Sequence, residues 1–121
     1  MAGLYGDFCA NYVTQGSVRV PSTAWTLLSA NGTANLAKRR QIRIVVRGGV
    51  GSALALTYVN VNANGTFTTP TTTTSLKHVT VYPGGSYWIE PLSDKVTLYG
   101  KMIKKVGVTN NYVLVIVTEY Q

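Results

Sequence analysis

The sequence predicts one all-β domain, an antiparallel β-sandwich or jelly roll of about eight strands with an extended N-terminal arm. Short apolar runs recur at intervals of roughly 8–15 residues, and turn-forming pairs such as Asn-Gly and Pro-Gly bound them. No window shows the i, i+3, i+4, i+7 apolar spacing of an amphipathic helix. The composition agrees, because Thr and Tyr favour strands, Asn and Gly favour turns, and only 12% of the residues are charged.

The chain has 121 residues, the usual size of one domain, and its first 16 differ in character from the rest. We predict that residues 1–16 form an extended arm on a sandwich domain of residues 17–121. The arm has no regular apolar period, but Tyr5, Phe8 and Tyr12 make it too apolar for a solvated tail. These aromatic residues are expected to bind a surface, either of the same domain or of a neighbouring subunit.

The first four predicted strands are Ser17–Val20, Ala24–Ser29, Gln41–Arg47 and Ala53–Val61. Pro-Ser, Asn-Gly and Gly-Gly pairs separate them, as turn chemistry requires. The third run alternates most cleanly, with Ile42, Ile44 and Val46 on one face, and this predicts a half-buried strand. Trp25 alternates with apolar neighbours and is assigned to the core.

The last four predicted strands are His78–Tyr82, Ser86–Glu90, Val96–Ile103 and Tyr112–Tyr120. A Pro-Gly-Gly turn separates the first two of these runs. The final run is apolar on both faces, which predicts a central or doubly covered strand. Trp88 shares its strand face with polar residues, so we place it at a rim or a subunit interface.

The net charge of +7 indicates an acidic partner: nucleic acid, an anionic membrane or an acidic protein surface. The candidate partner-binding cations form two groups, namely Lys38, Arg39, Arg40, Arg43 and Arg47, and then Lys101, Lys104 and Lys105. If their strands pair, the two groups form one surface; the alternative is a solvated face that maintains solubility. Binding of nucleic acid would require exposed aromatic rings among these cations, and Tyr99 beside Lys101 is the nearest candidate.

The residues that usually carry catalysis or hold metals are sparse. The four acids are Asp7, Glu90, Asp94 and Glu119, and their spacing predicts no facing carboxylate pair. One histidine, His78, and one cysteine supply neither a zinc site nor a catalytic triad. We therefore expect a protein that is not an enzyme and that needs no cofactor or metal.

We also find no pattern of a targeting signal in the sequence. The N-terminus lacks the basic and apolar regions of a signal peptide, and no apolar run reaches the ~18 residues of a membrane helix. We expect a chain that is made in a reducing cytoplasm and does not bind a membrane.

Four segments follow one another in a recognisable order over residues 18–120: Val20–Leu28, Arg39–Ile44, Tyr82–Ile89 and Val96–Gly100. In this order the chain resembles the small β-sandwich structural proteins of tailed bacteriophages and related viruses. The resemblance implies a virion component, most directly a capsid decoration (cement) protein. Its implied partners are the major capsid protein or another virion protein, in a homo-oligomer for which a trimer is the first expectation.

Two other functions stay open at the level of sequence. One is a basic, nucleic-acid-binding β-barrel, for which the charge is the argument. The other is a carbohydrate-binding or receptor-binding virion module, with Trp88, Tyr87 and Tyr99 as stacking residues.

Overall fold

The computed structural model describes residues 13–47, 53–66, 68–70, 79–90 and 92–121, and these ranges contain eight strands and no helix. The strands are β1 (Val13–Pro21), β2 (Thr26–Leu27), β3 (Gln41–Arg47), β4 (Ala53–Asn60), β5 (Val79–Val81), β6 (Ser86–Ile89), β7 (Val96–Ile103) and β8 (Tyr112–Tyr120). Each strand overlaps one of the eight predicted runs. The predicted all-β sandwich is confirmed.

The order of strand pairing defines a jelly roll. β1 pairs with β8, β2 with β7, β3 with β6, and β4 with β5, all antiparallel, as in one long hairpin rolled upon itself. Two further antiparallel pairs, β3 with β8 and β4 with β7, complete two four-stranded sheets. Sheet A has the order β1-β8-β3-β6 and sheet B the order β2-β7-β4-β5, which is the two-Greek-key arrangement of a jelly roll.

The core lies between the two sheets. It is formed by alternate residues of the strands, as the sequence predicts. Ile42, Ile44 and Val46 are fully buried, as predicted for one face of β3. β8 lies between β1 and β3, and alternate residues such as Val115 pack in the core while Leu114 is half-buried on the other face. The prediction of a central final strand is confirmed.

A second apolar cluster covers the face of sheet B that is turned away from this core. Trp25, Ala55 and Tyr99 are its buried members, with Leu27 and Val59 packed against them. The assignment of Trp25 to buried packing is confirmed. The suggestion that Tyr99 offers an exposed ring for stacking is wrong, because its side chain is 2% exposed.

The first strand begins earlier than predicted. Residues 13–16, assigned to the arm by sequence, belong to β1 and pair with β8. Gly16 is required there, because a Cβ atom on it would lie 1.9 Å from the Ala30 carbonyl oxygen. Tyr5, Phe8, Tyr12, Cys9, His78 and the Gly-rich stretch 48–52 lie outside the described residues.

The antiparallel pairing also places the connections between strands at two opposite ends of the sandwich. Because successive strands run in opposite directions, the β1–β2, β5–β6 and β7–β8 connections lie at one end of the sandwich. We call this the β7–β8 end. The β2–β3 and β6–β7 connections lie at the opposite end, which we call the β2–β3 end.

Candidate interaction surface

The cation at the centre of the predicted basic run is buried. The Arg39 side chain is 0% exposed and its guanidinium lies 2.8 Å from the Glu119 carboxylate, whose side chain is 1% exposed. The prediction that Arg39 binds an external partner is therefore wrong. Loop residues turn this side chain inward, where a carboxylate from β8 neutralises it.

All five N–H groups of the Arg39 guanidinium find acceptors. Besides Glu119, they donate to the carbonyl oxygens of Leu92, Ser93 and Val96 and to the Asn35 side-chain oxygen. Because a guanidinium carries five donors, its hydrogen-bonding capacity is filled. This side chain joins the β2–β3 connection to the β6–β7 connection.

The Glu119 carboxylate is also occupied by structural contacts. Its two oxygens accept hydrogen bonds from the backbone N–H groups of Ala30, at 2.7 Å, and Leu36, at 3.0 Å, as well as from Arg39. A pocket of about 220 Å³ lies beside it, lined in addition by Thr14 and Asn31. The carboxylate fixes the β2–β3 connection.

The neighbours of Arg39 behave differently. The Lys38 and Arg40 side chains are exposed, while their backbone N–H groups are bonded to the Asp94 carboxylate and to the Tyr120 carbonyl oxygen. Lys38 has a φ of 56°, a left-handed conformation that the bond to Asp94 helps to hold. Glu90 is exposed, whereas the Asp94 carboxylate holds the backbone of the loop at Lys38.

The outer face of sheet A brings together cations from strands that are distant in sequence. In β1 and β3 the residues that alternate with the core point outward, and they include Arg19, Arg43 and Arg47. Arg19 and Arg47 lie on either side of Leu114 in the same row across the sheet. Arg43 lies in another row, directly beside Trp88.

Aromatic rings on this face are in contact with the arginines. The Arg43 guanidinium carbon lies 5.1 Å from the centre of the Trp88 ring, and that of Arg19 lies 5.0 Å from the Tyr112 ring centre. Trp88 also stacks on Tyr120, with ring centres 5.6 Å apart. Trp88 is still 48% exposed and Tyr112 42%, so both rings remain available to a partner.

The arginines of this face have no anionic partner within the part of the chain that the structure describes. No ion pair involves Arg19, Arg43 or Arg47 there, and the buried Arg43 Nε–H lacks a hydrogen-bond acceptor. The outward positions of the four strands hold three arginines and neither lysine nor carboxylate. This combination of Arg, Trp and Tyr without Lys or Glu is typical of binding surfaces.

The second predicted basic group lies elsewhere. Lys101 is half-buried on β7 in sheet B, and Lys104 and Lys105 are exposed in the β7–β8 connection. Since β3 belongs to sheet A, the strands of the two basic groups do not pair. The condition under which the two groups would form one surface is therefore not met.

The β7–β8 end also exposes large apolar side chains. Val106 is 99% exposed and Tyr82 is 70% exposed, and Ile103 at the end of β7 is 41% exposed. The Lys104 ammonium donates to the Asn111 side-chain oxygen at 3.2 Å, which steadies this connection. Exposed apolar side chains and exposed lysines thus share this end of the sandwich.

Sequence reasoning missed Arg19, Tyr112 and Tyr120 as members of a surface. Their outward positions can be read from the alternation of β1 and β8. Their proximity to Arg47 and Trp88 depends on strand register, which cannot be derived from the sequence alone.

Neither a metal cluster nor a membrane-spanning helix is found in the described ranges. There, no three His, Cys, Asp or Glu side chains come together to hold an ion, and no helix has the length and apolarity to cross a bilayer. Comparison of the chain with protein-family models, with curated proteins and with solved structures gives no match.

Proposed function

We propose that this chain is a non-enzymatic structural protein of a virus particle, and more narrowly a capsid decoration protein. The observation that carries the proposal is the complete jelly-roll pairing of the eight strands. Jelly rolls are recurrent scaffolds of viral capsid domains, although the same fold also serves lectins and cupins. Because a fold alone does not define a function, the surfaces must carry the rest of the argument.

The polar contacts of the described residues support a scaffold role. They contain one buried ion pair, between Arg39 and Glu119. This pair joins two connections to β8. Rigid positioning of loops at the ends of a sandwich is what a lattice component requires.

The β7–β8 end is the surface that we assign to the shell. Val106 and Tyr82 expose apolar area at this end, and Lys104 and Lys105, which directly precede Val106 in the chain, supply positive charge. Apolar contacts give such an interface its affinity, while charges at the rim orient docking on an acidic surface. In a homo-oligomer, with a trimer as the expected form, several such ends would act together and gain avidity.

Co-sedimentation with shells that lack the chain tests this assignment. The purified protein should pellet with the shells, and the Lys104→Glu/Lys105→Glu variant should remain in the supernatant, because repulsion replaces attraction. Arg40→Glu/Lys95→Glu is a matched double charge reversal at the opposite, β2–β3 end and should pellet like the unchanged protein. Equal pelleting of all three proteins would contradict the assigned end, and no pelleting of the unchanged protein would contradict the decoration role.

A further inference from the structure

The outer face of sheet A carries positive charge that no ion pair among the described residues neutralises. The face presents Arg19, Arg43 and Arg47 with no carboxylate among its outward strand positions. Among the described acids, Glu119 is buried against Arg39, Asp94 accepts the Lys38 N–H group, and Glu90 is the one exposed carboxylate. The described part of a second copy therefore offers less negative charge than the three arginines of this face would require.

The aromatic rings restrict the chemistry of that partner. Trp88 and Tyr120 form a stacked pair, and Arg43 lies over the same Trp88 ring. These contacts hold the Trp88 ring in place, and 48% of the side chain stays exposed for contact with another flat ring. Acidic peptides supply carboxylates but few flat rings, whereas a nucleic acid supplies a charge and a ring at every unit.

We infer that the outer face of sheet A binds single-stranded nucleic acid, with bases stacked at Trp88 and phosphates bound by Arg43 and its neighbouring arginines. Single-stranded binding sites combine these two elements, a basic surface and exposed aromatic rings. Double-stranded nucleic acid keeps its bases stacked inside, so it would use the charges of this face but not the rings. The preference for single strands follows from the exposed aromatic rings, because only unpaired bases are free to stack on them.

This inference uses a different surface from the proposed decoration role. The shell is assigned to residues of the connections at the β7–β8 end, and the nucleic acid to the strands of sheet A. Each assignment can fail without the other, because the variants that test them change different residues.

Fluorescence anisotropy with a labelled oligothymidylate, in a salt series, tests the inference. We expect binding at low salt and a loss of affinity with salt that has a log–log slope of about −0.7 for each phosphate contacted. The Arg43→Gln variant should bind more weakly and reduce the steepness of the slope by about 0.7, because it loses one such contact. Lys105→Gln removes the same charge at the β7–β8 end and should leave both quantities unchanged.

The ring is tested separately from the charge. Trp88→Leu should weaken binding roughly 5- to 150-fold, the usual range for loss of one stacked base, without altering the salt slope. Trp88→Phe keeps a ring and should retain most of the affinity. Tyr82→Ala removes an exposed ring at the β7–β8 end and should bind like the unchanged protein.

Three outcomes would overturn the inference. They are no binding of the oligothymidylate at low salt, equal affinity of Trp88→Leu and the unchanged protein, and equal competition by polyglutamate at matched charge. The last result would assign the face to an acidic protein surface instead. Thermal unfolding of each variant, with a midpoint equal to that of the unchanged protein, shows that a weakened variant is folded.

Discussion

The Arg39 guanidinium and the Glu119 carboxylate meet at 2.8 Å with both side chains sealed from solvent. The pair joins a loop residue to β8, a central strand of sheet A, across 80 residues of sequence. Its remaining hydrogen bonds hold the β2–β3 and β6–β7 connections in place. The shape of the β2–β3 end depends on this pair.

Removal of one partner should therefore be costly. Glu119→Gln should lower the free energy of unfolding by about 3–5 kcal/mol, because it leaves the Arg39 charge buried without a counter-ion. Urea denaturation measures this loss. Arg40→Met, an exposed neighbour, is the control and should change the value by less than about 0.5 kcal/mol. A loss below about 1 kcal/mol in Glu119→Gln would show that the pair is not sealed as described.

A double-mutant cycle should reveal the coupling between the two residues. Arg39→Met and Glu119→Leu should each destabilise strongly, and the combined variant should lose less than the sum of the two by about 1–3 kcal/mol. The coupling arises because the second change removes a charge that the first has orphaned. Additive losses would argue against direct contact.

Gly16 should tolerate no side chain. Gly16→Ala should cost about 2 kcal/mol or more, since a Cβ 1.9 Å from the Ala30 carbonyl oxygen forces the backbone of β1 or of the loop to move. Ser17→Ala, on the exposed side of the same strand, should be nearly neutral. Chemical denaturation of the two variants compares them directly, and equal stability would mean that Ala30 does not cross β1 at this point.

Trp25 carries a buried indole N–H without an acceptor. Trp25→Phe removes this unsatisfied donor and keeps a ring, so we expect a change in stability of less than about 1.5 kcal/mol. Trp25→Ala should cost about 3–5 kcal/mol, because it empties the cluster on the outside of sheet B. Thermal and urea unfolding measure both changes. Equal destabilisation of the two variants would contradict the buried packing of the Trp25 ring.

The strands could be predicted because their information is local. Ile42, Ile44 and Val46 alternate with polar residues, and a period of two is sufficient to place them on the buried face of a strand. The apolar residues on both faces of β8 likewise indicated its central position. Turn residues supplied most of the boundaries between strands.

The surface could not be predicted to the same extent because its information is non-local. Arg39 reads as one of three adjacent cations, and only the position of Glu119 in the fold explains why it alone is buried. Tyr99 shares a strand face with Lys101, but the second apolar cluster covers the ring. The row that joins Arg19, Leu114 and Arg47 depends on strand register.

The central claim, that the chain is a component of a virus particle, is tested most directly by quantitative mass spectrometry of purified particles. Particles should be purified from the culture that produces the chain and washed before digestion. The account predicts this chain in a fixed ratio to the major shell protein, at many copies per particle. Its absence, or trace amounts that vary between preparations, would contradict the account.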